Sequence, residues 1–479
     1  MTNPAGRLLA RVDRAADGLA ADLALYALSA GFALVTALTS TLLPHRGWGA
    51  IAAWGYLAAF LAVIVQLLVR RAMSRQPALS AQPAGSTESA PSAQSGGSAQ
   101  SGDSAQSGDS AQAADSAPSV RPARVPSLAA FAGTTGRTVL TWVAWAGAAL
   151  LPLLVEAVQR AGGRTDRAQE EVLVVERMGE RLLDSGTPYL GRDTIAALPG
   201  GEQLLGYAPY QPGMAVFGLP RAVAGDVWWT DARVWFALVT GLALVAAVAV
   251  LRTSPASTPI RGVQFATVLP ICALTLATGG DDLPVLALCL LALALCAADR
   301  FGTAGVAVGA AAACKLFAFP VVAVLAVLAI ATGRGRRFLP GALGLPVLVL
   351  IPPLLVDGGA FTENVIRFPL GHGVVTSPAQ SPFPGYLISS TLPGGRYLAA
   401  ALLVVMAGAI AVVLIRRPPR TAVTAALFCG YGLLAAILLM PTTRFGYLLY
   451  PLALLVWAPA LSKRTARTPV RSDTALYRS

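Results

Sequence analysis

Charge is what this sequence has least of. Asp, Glu, Lys and Arg together make up 13% of its 479 residues, about half the share found in soluble domains, which excludes an ordinary soluble enzyme. A hydrophobic share of 55% excludes a disordered chain. Lysine is nearly missing: Lys315 and Lys463 are its two examples, and the other cationic side chains are arginines. Histidine is down to His45 and His372. The five cysteines, Cys272, Cys289, Cys296, Cys314 and Cys429, lie in apolar segments without CxxC spacing and read as small buried hydrophobes, not as a disulfide or zinc framework. There is no HExxH, no DxD and no cysteine/histidine cluster, so the sequence offers no metal site and leaves a divalent ion undecided. Residues 1–22 carry Arg7, Arg11 and Arg14 but no apolar run with a small-residue cleavage site, so the first apolar run is expected to remain as an anchor.

What is present is apolar sequence in runs near the length of a bilayer crossing. The expectation is an all-α polytopic membrane protein with about 12 transmembrane segments, at 23–43, 49–69, 138–156, 233–251, 262–279, 283–298, 303–316, 317–333, 338–356, 397–415, 421–440 and 445–461. Their connections alternate in basic content. One set holds Arg7/Arg11/Arg14, Arg70/Arg71/Arg75, Arg121/Arg124/Arg137, Arg252/Arg261, Arg300, Arg334/Arg336/Arg337, Arg416/Arg417/Arg420 and Lys463/Arg464/Arg467; the short connections of the other set hold few. The positive-inside rule then puts both termini in the cytoplasm of a multi-pass plasma-membrane protein. The net charge of +12 fits a cytoplasmic lipid surface better than nucleic acid. Parity requires residues 303–333 to cross twice or to re-enter, with Lys315 in the middle of a broken pair.

Four regions follow. Residues 1–75 form a two-span N-terminal hairpin, 76–137 a cytoplasmic linker, 138–461 the membrane domain and 462–479 a basic cytoplasmic tail. Within the linker, 76–120 is rich in Ser, Ala, Gln and Gly, repeats SAQSGD and has nothing to bury, so disorder is expected. Two long extracytoplasmic loops are expected, 157–232 and 357–396. The first should contain a helix over about 168–185, stopped by Ser185-Gly186-Thr187-Pro188, and an amphipathic stretch after the turn at 209–213.

Charges in or beside the bilayer are costly unless they have a task. Lys315, in AAACKLFAFP, reads either as a cation for a phosphate or headgroup, or as a side chain snorkelling to an interface. Asp281 and Asp282, in TGGDDLP, suit turn and N-cap chemistry, or binding of sugar hydroxyls or a cation at a cavity mouth. Arg444, in MPTTRFGYLLYP, is an interfacial anchor or a bidentate phosphate clamp. His372, in RFPLGHGVVTSP, is a solvated loop histidine or part of a site shaped by glycines and prolines. Glu176/Glu180 and Arg177/Arg181 repeat at i, i+4 and describe a solvated helix face, whereas Glu171 precedes the VLVV run at the outer mouth of the bundle.

In order along the chain, ERLLDSGTPYL, YAPYQPGM with GLPR, GDDLPVLALCLLALAL, AGVAVGAAAACKLFAFP and TTRFGYLLYPL resemble the blocks of glycosyltransferase family 87, over roughly 138–461. That family is a branch of the GT-C membrane glycosyltransferases, and it includes polyprenyl-phosphate-mannose-dependent α-mannosyltransferases of actinobacteria. The resemblance implies a GT-C-like bundle, a polyprenyl-phosphate sugar as donor, an extracytoplasmic active site and a catalytic carboxylate in the first long loop. The family's aspartate stands shortly before the G-x-P-Y block. Here that register, Val172 to Val175, holds no acid, and Glu171 is the nearest carboxylate.

The resulting expectation is a hexosyltransferase that moves a sugar, mannose by preference, to a hydroxyl of a lipid or cell-envelope glycan, with inversion. Glu171 would be the base, Lys315, His372 and Arg444 would bind the donor phosphate, and Asp281, Asp282, Tyr189 and Tyr210 would contact sugar or acceptor. A transporter or flippase of lipid-linked substrates is the rival class, and a non-catalytic partner in envelope assembly is the third.

Overall fold

The computed structural model describes residues 18–75, 126–252 and 259–462. The arginines ahead of residue 18, the Ser/Ala-rich part of the linker and the tail from Lys463 onward lie outside the described residues. Among those described, the chain is helical throughout, and β-type pairing is limited to one bridge between Gln380 and Thr443. The linker expected to run to residue 137 gives way earlier. Pro126–Ala132 and Thr134–Trp145 are helices, the first opening on a proline, whose missing N–H costs nothing at a helix start.

The structure matches the expectation of twelve spans in part. Seven described helices are long and apolar enough to cross a membrane: Leu19–Thr39, Leu43–Met73, Thr134–Ala161, Ala232–Leu251, Gly335–Arg367, Gly395–Arg416 and Ala422–Leu439. The pair Ile260–Thr267 and Pro270–Thr278, bent by 45°, makes an eighth if it is one broken span. Pro270 cannot continue the first helix, and the Val268 carbonyl exposed at the break accepts the Tyr56 hydroxyl at 2.7 Å. The remaining four expected spans are shorter apolar helices, Asp282–Ala297, Phe301–Cys314, Leu316–Ala331 and Phe445–Leu461. At 1.5 Å per residue, 14–17 residues reach only about 21–26 Å, short of a ~30 Å hydrocarbon core. Composition alone does not separate such helices from full spans, because both are apolar. All five cysteines are free and buried in apolar helices, three of them in the short ones.

Lys315 interrupts the short pair. Its backbone is extended, with φ −152° and ψ 142°, between Phe301–Cys314 and the turn that opens the next helix. Gly305 and Gly309 let Phe301–Cys314 lie directly on the backbone of Gly335–Thr362: a methyl on either would run into the Phe338 or Gly341 carbonyl. Small residues four apart are how apolar helices approach closely.

Contacts gather the alternate connections at one end of the bundle. His45 meets Gln169, Gln169 meets Thr278, Lys315 meets Asp281, and Arg192 meets Glu363. Thr442 donates to the Pro369 carbonyl. The opposite end carries the Asp22–Arg137, Asp22–Arg261 and Asp299–Arg334 pairs.

Candidate active site

The site begins with the helix Glu170–Ser185. Gln169 precedes it in extended conformation, and Glu170 and Glu171 occupy its first turn, where carboxylates complement the positive end of the helix dipole. Val172, Val174, Val175 and Met178 bury one face, and Gly186 stops the helix in the left-handed region at φ 74°. The start and stop agree with the sequence pattern within two residues. The solvated face does not hold for Glu176, which is 3% exposed and takes both terminal nitrogens of Arg160, at 2.7 and 2.5 Å. Glu180 does point to solvent.

Glu176 belongs to a buried network. Arg160 also reaches Asp231 at 3.1 Å, Arg233 reaches Asp231 at 2.8 Å and Glu156 at 3.0 Å, and Arg221 reaches Glu176 at 3.2 Å. Burial raises the Asp231 carboxyl, but Arg233 and then Arg160 outweigh it and hold the group far below the usual carboxylate range. The network ties the helix Glu170–Ser185 to the ends of two membrane helices, and it fixes where Glu171 can stand.

Glu171 lies at the other side of that first turn and is 15% exposed at its side chain. Arg444, from a segment 273 residues away, donates to its Oε1. Burial alone would lower the Arg444 guanidinium; the Glu171 carboxylate more than offsets this and raises it. Gly279 provides the floor: a methyl there would stand 2.8 Å from Gln169 Oε1 and 3.7 Å from Glu171 Oε2.

Two residues further on, Asp281 and Asp282 clamp Lys315. Its Nζ donates to Asp281 Oδ2 at 2.7 Å and to Asp282 Oδ1 at 2.5 Å, and Tyr450 donates its hydroxyl to the same Asp282 oxygen at 2.8 Å. Lys315 therefore neither snorkels nor stands alone. Its ammonium also lies 5.3 Å from the Tyr210 ring and 5.7 Å from the Tyr447 ring, within cation–π range. Burial pushes the Tyr210 phenol well above its ordinary value, and the nearby Asp281 and Glu171 charges add to that.

These groups surround one cavity of about 920 Å³. Its walls include Glu170, Glu171, Tyr210, Asp281, Asp282, Lys315, Arg444 and Tyr447, with His45 and Gln169 at one side. Six of the eight residues singled out in the sequence therefore meet. Tyr189 and His372 stay outside the lining. Tyr189 is buried behind the wall and donates its hydroxyl to the Tyr210 carbonyl at 2.8 Å. His372 is exposed, and its carbonyl, not its ring, is engaged, accepting from Arg192 at 2.8 Å. Sequence reasoning missed His45, Gln169 and Tyr447 as wall residues, and Tyr450 as the buried partner of Asp282. It also missed the Arg160–Glu176–Asp231–Arg233–Glu156 network, although a glutamate and an arginine at the ends of apolar runs were a usable signal. Among the described residues no cluster of three or more His, Cys, Asp or Glu could hold a metal ion.

No curated protein and no solved structure matches the chain. Residues 207–441 match the model of glycosyltransferase family 87, a narrower stretch than the 138–461 expected; it holds Tyr210, Asp281, Asp282, Lys315 and His372, whereas Glu171 and Arg444 flank it. This match, over just under half of the chain, makes the all-helical membrane protein similar to glycosyltransferase family 87 and is consistent with a GT-C-like membrane glycosyltransferase.

Proposed function

We propose that the chain transfers a sugar, mannose by preference, from a polyprenyl-phosphate donor to a hydroxyl of a lipid or cell-envelope glycan. The observation that carries this reading is the Glu171–Arg444 contact at a cavity large enough for a sugar and its phosphate. A carboxylate and a guanidinium can serve the two ends of one displacement once the guanidinium leaves the carboxylate for the phosphate on the far face of the anomeric carbon. Glu171 accepts the proton of the acceptor hydroxyl as its oxygen bonds to the anomeric carbon. The bond from that carbon to the phosphate oxygen breaks on the opposite face, so the configuration inverts. Arg444 exchanges the carboxylate for the phosphate and stabilises the leaving charge. That exchange also frees Glu171 to act as a base, which couples donor binding to catalytic readiness.

Lys315 sits between two aspartates, so its charge is already paired at the cavity wall. This favours a positioning role for Lys315, with Asp281 and Asp282 available to sugar hydroxyls. Arg444 is then the principal phosphate ligand, and His372 drops out of the set. The end opposite the cavity carries Arg300, Arg334, Arg336, Arg337, Arg416, Arg417 and Arg420, which supports a cytoplasmic assignment for that end and an extracytoplasmic cavity.

The test is transfer of radiolabelled sugar in membranes containing the wild-type chain or Glu171→Gln. The reading expects transfer by the first and none above background by the second. Donor binding without transfer by the wild type would overturn it in favour of a non-catalytic role.

A further inference from the structure

We infer that the N-terminal hairpin, residues 19–75, is a working part of the cavity, and that His45 is the positioning residue through which it sets the placement of Glu171. The inference deepens the reading above and rests on it for the reaction, though not for the contact.

The hairpin lies wholly ahead of the family match at 207–441, yet it is built into the bundle. Trp48 donates its ring N–H to the Ala148 carbonyl at 2.7 Å, and Tyr56 donates to the Val268 carbonyl at 2.7 Å. At the far end Asp22 binds Arg137 at 2.6 Å and Arg261 at 2.7 Å. These contacts seat the hairpin in the bundle, and the first turn of the helix Leu43–Arg75 delivers half-buried His45 to the cavity wall.

There His45 Nε2 stands 2.8 Å from the amide nitrogen of Gln169. On its other side the Gln169 amide meets Thr278 Oγ1, 3.0 Å from Oε1, a hydroxyl that also bonds the Leu274 carbonyl at 2.9 Å. With its NH₂ toward the ring, the amide pairs with Nε2 as the bare nitrogen of a neutral imidazole; turned, it pairs with Nε2–H, so the contact is one ring–amide hydrogen bond in either arrangement. The Gln169 backbone N–H is also held, by the Thr278 carbonyl at 3.0 Å. Gln169 is the residue from which the Glu170–Ser185 helix starts, two positions before Glu171. The hydrogen bond from His45 thus locks the residue that aims the carboxylate.

The experiment uses the full chain in membranes, with His45→Leu, Gln169→Leu, the double variant and His45→Gln. Glutamine places an acceptor oxygen near the position of Nε2. Two readouts are taken: kcat and donor KM for transfer, and labelling of Glu171 by a carbodiimide with an amine, located by mass spectrometry. Each leucine variant should lower kcat by about 10- to 100-fold, the range that misplacement by about 1 Å can produce, with donor KM little changed. The double variant should be no worse than either single one, because both remove the same contact. His45→Gln should restore kcat to within about threefold, and Glu171 labelling should change in the leucine variants and revert with glutamine; a side chain needed only for packing would not be rescued that way. Wild-type kcat and labelling in His45→Leu, additive losses, or a glutamine variant as impaired as leucine would each overturn the inference. A wild-type chain without transfer would count against the proposed function alone, since the labelling comparison would still decide the positioning.

Discussion

Two sets of arginines and carboxylates occupy the same end of the bundle, and they differ in what surrounds them. Arg160, Glu176, Asp231, Arg233 and Glu156 are each no more than 8% exposed, and their charges pair with one another. Glu171 and Arg444 have side chains 15% and 36% exposed and share a cavity. Similar functional groups therefore serve opposite ends. Where protein encloses the charges, changing partners would strand an ion, so the set is a fastener. Where a cavity admits a ligand, Arg444 can trade its carboxylate for a phosphate, so the set can act.

The sharpest way to break this comparison is Glu171→Gln. Transfer should fall by about 10²- to 10⁴-fold, the contribution of a positioned general base, while the melting temperature in detergent stays close to wild type. Undiminished transfer would move the base to a neighbour, first to Glu170. Arg233→Met should do the reverse. It leaves Asp231 and Glu156 buried without that partner, and the cost should be about 3–5 kcal/mol of stability, read as a lower melting temperature and poor recovery of folded protein. A normal melting curve would mean the network is no fastener.

Arg444→Ala is expected to come third, with kcat/KM for the donor down by about 100-fold, the scale of one leaving-charge donor, and little change in melting. The smallest effect belongs to Arg334→Ala. Its pair with Asp299 is about half exposed, 39% and 50%, so a loss of at most about 1 kcal/mol is expected, with transfer unaffected. A larger loss there would show that exposure is a poor guide to which ion pairs matter in this molecule.

Local features were legible in the sequence. The helix beginning near Glu170 and ending at Gly186 could be read from its acidic first turn and glycine stop, and the interruption at Lys315 followed from counting basic connections. Span lengths were not legible, because the sequence does not say whether an apolar helix of 14–17 residues faces lipid or is packed among other helices. The misreading of Glu176 has a similar origin. Its i, i+4 neighbours Glu180 and Arg177/Arg181 look like a wet surface, and its true partner Arg160 comes from the preceding helix. The convergence of Glu171, Asp281, Asp282, Lys315 and Arg444 was legible as a shared end of the bundle, but their actual pairing was not. Glu171–Arg444 and Lys315–Asp281/Asp282 are contacts between segments 33 to 273 residues apart, and no spacing rule encodes them. His45 was passed over because a single histidine beside a short turn carries no pattern.

The anchoring of Asp22 sets a timetable for biosynthesis. Its two arginine partners lie 115 and about 239 residues downstream. At about 5–20 residues per second, the first emerges roughly 6–23 s after the aspartate and the second roughly 12–48 s after it. For that interval the hairpin waits in the membrane with its carboxylate only partly compensated, and the cavity wall that carries His45 is completed only when Gln169 and Thr278 arrive to meet it.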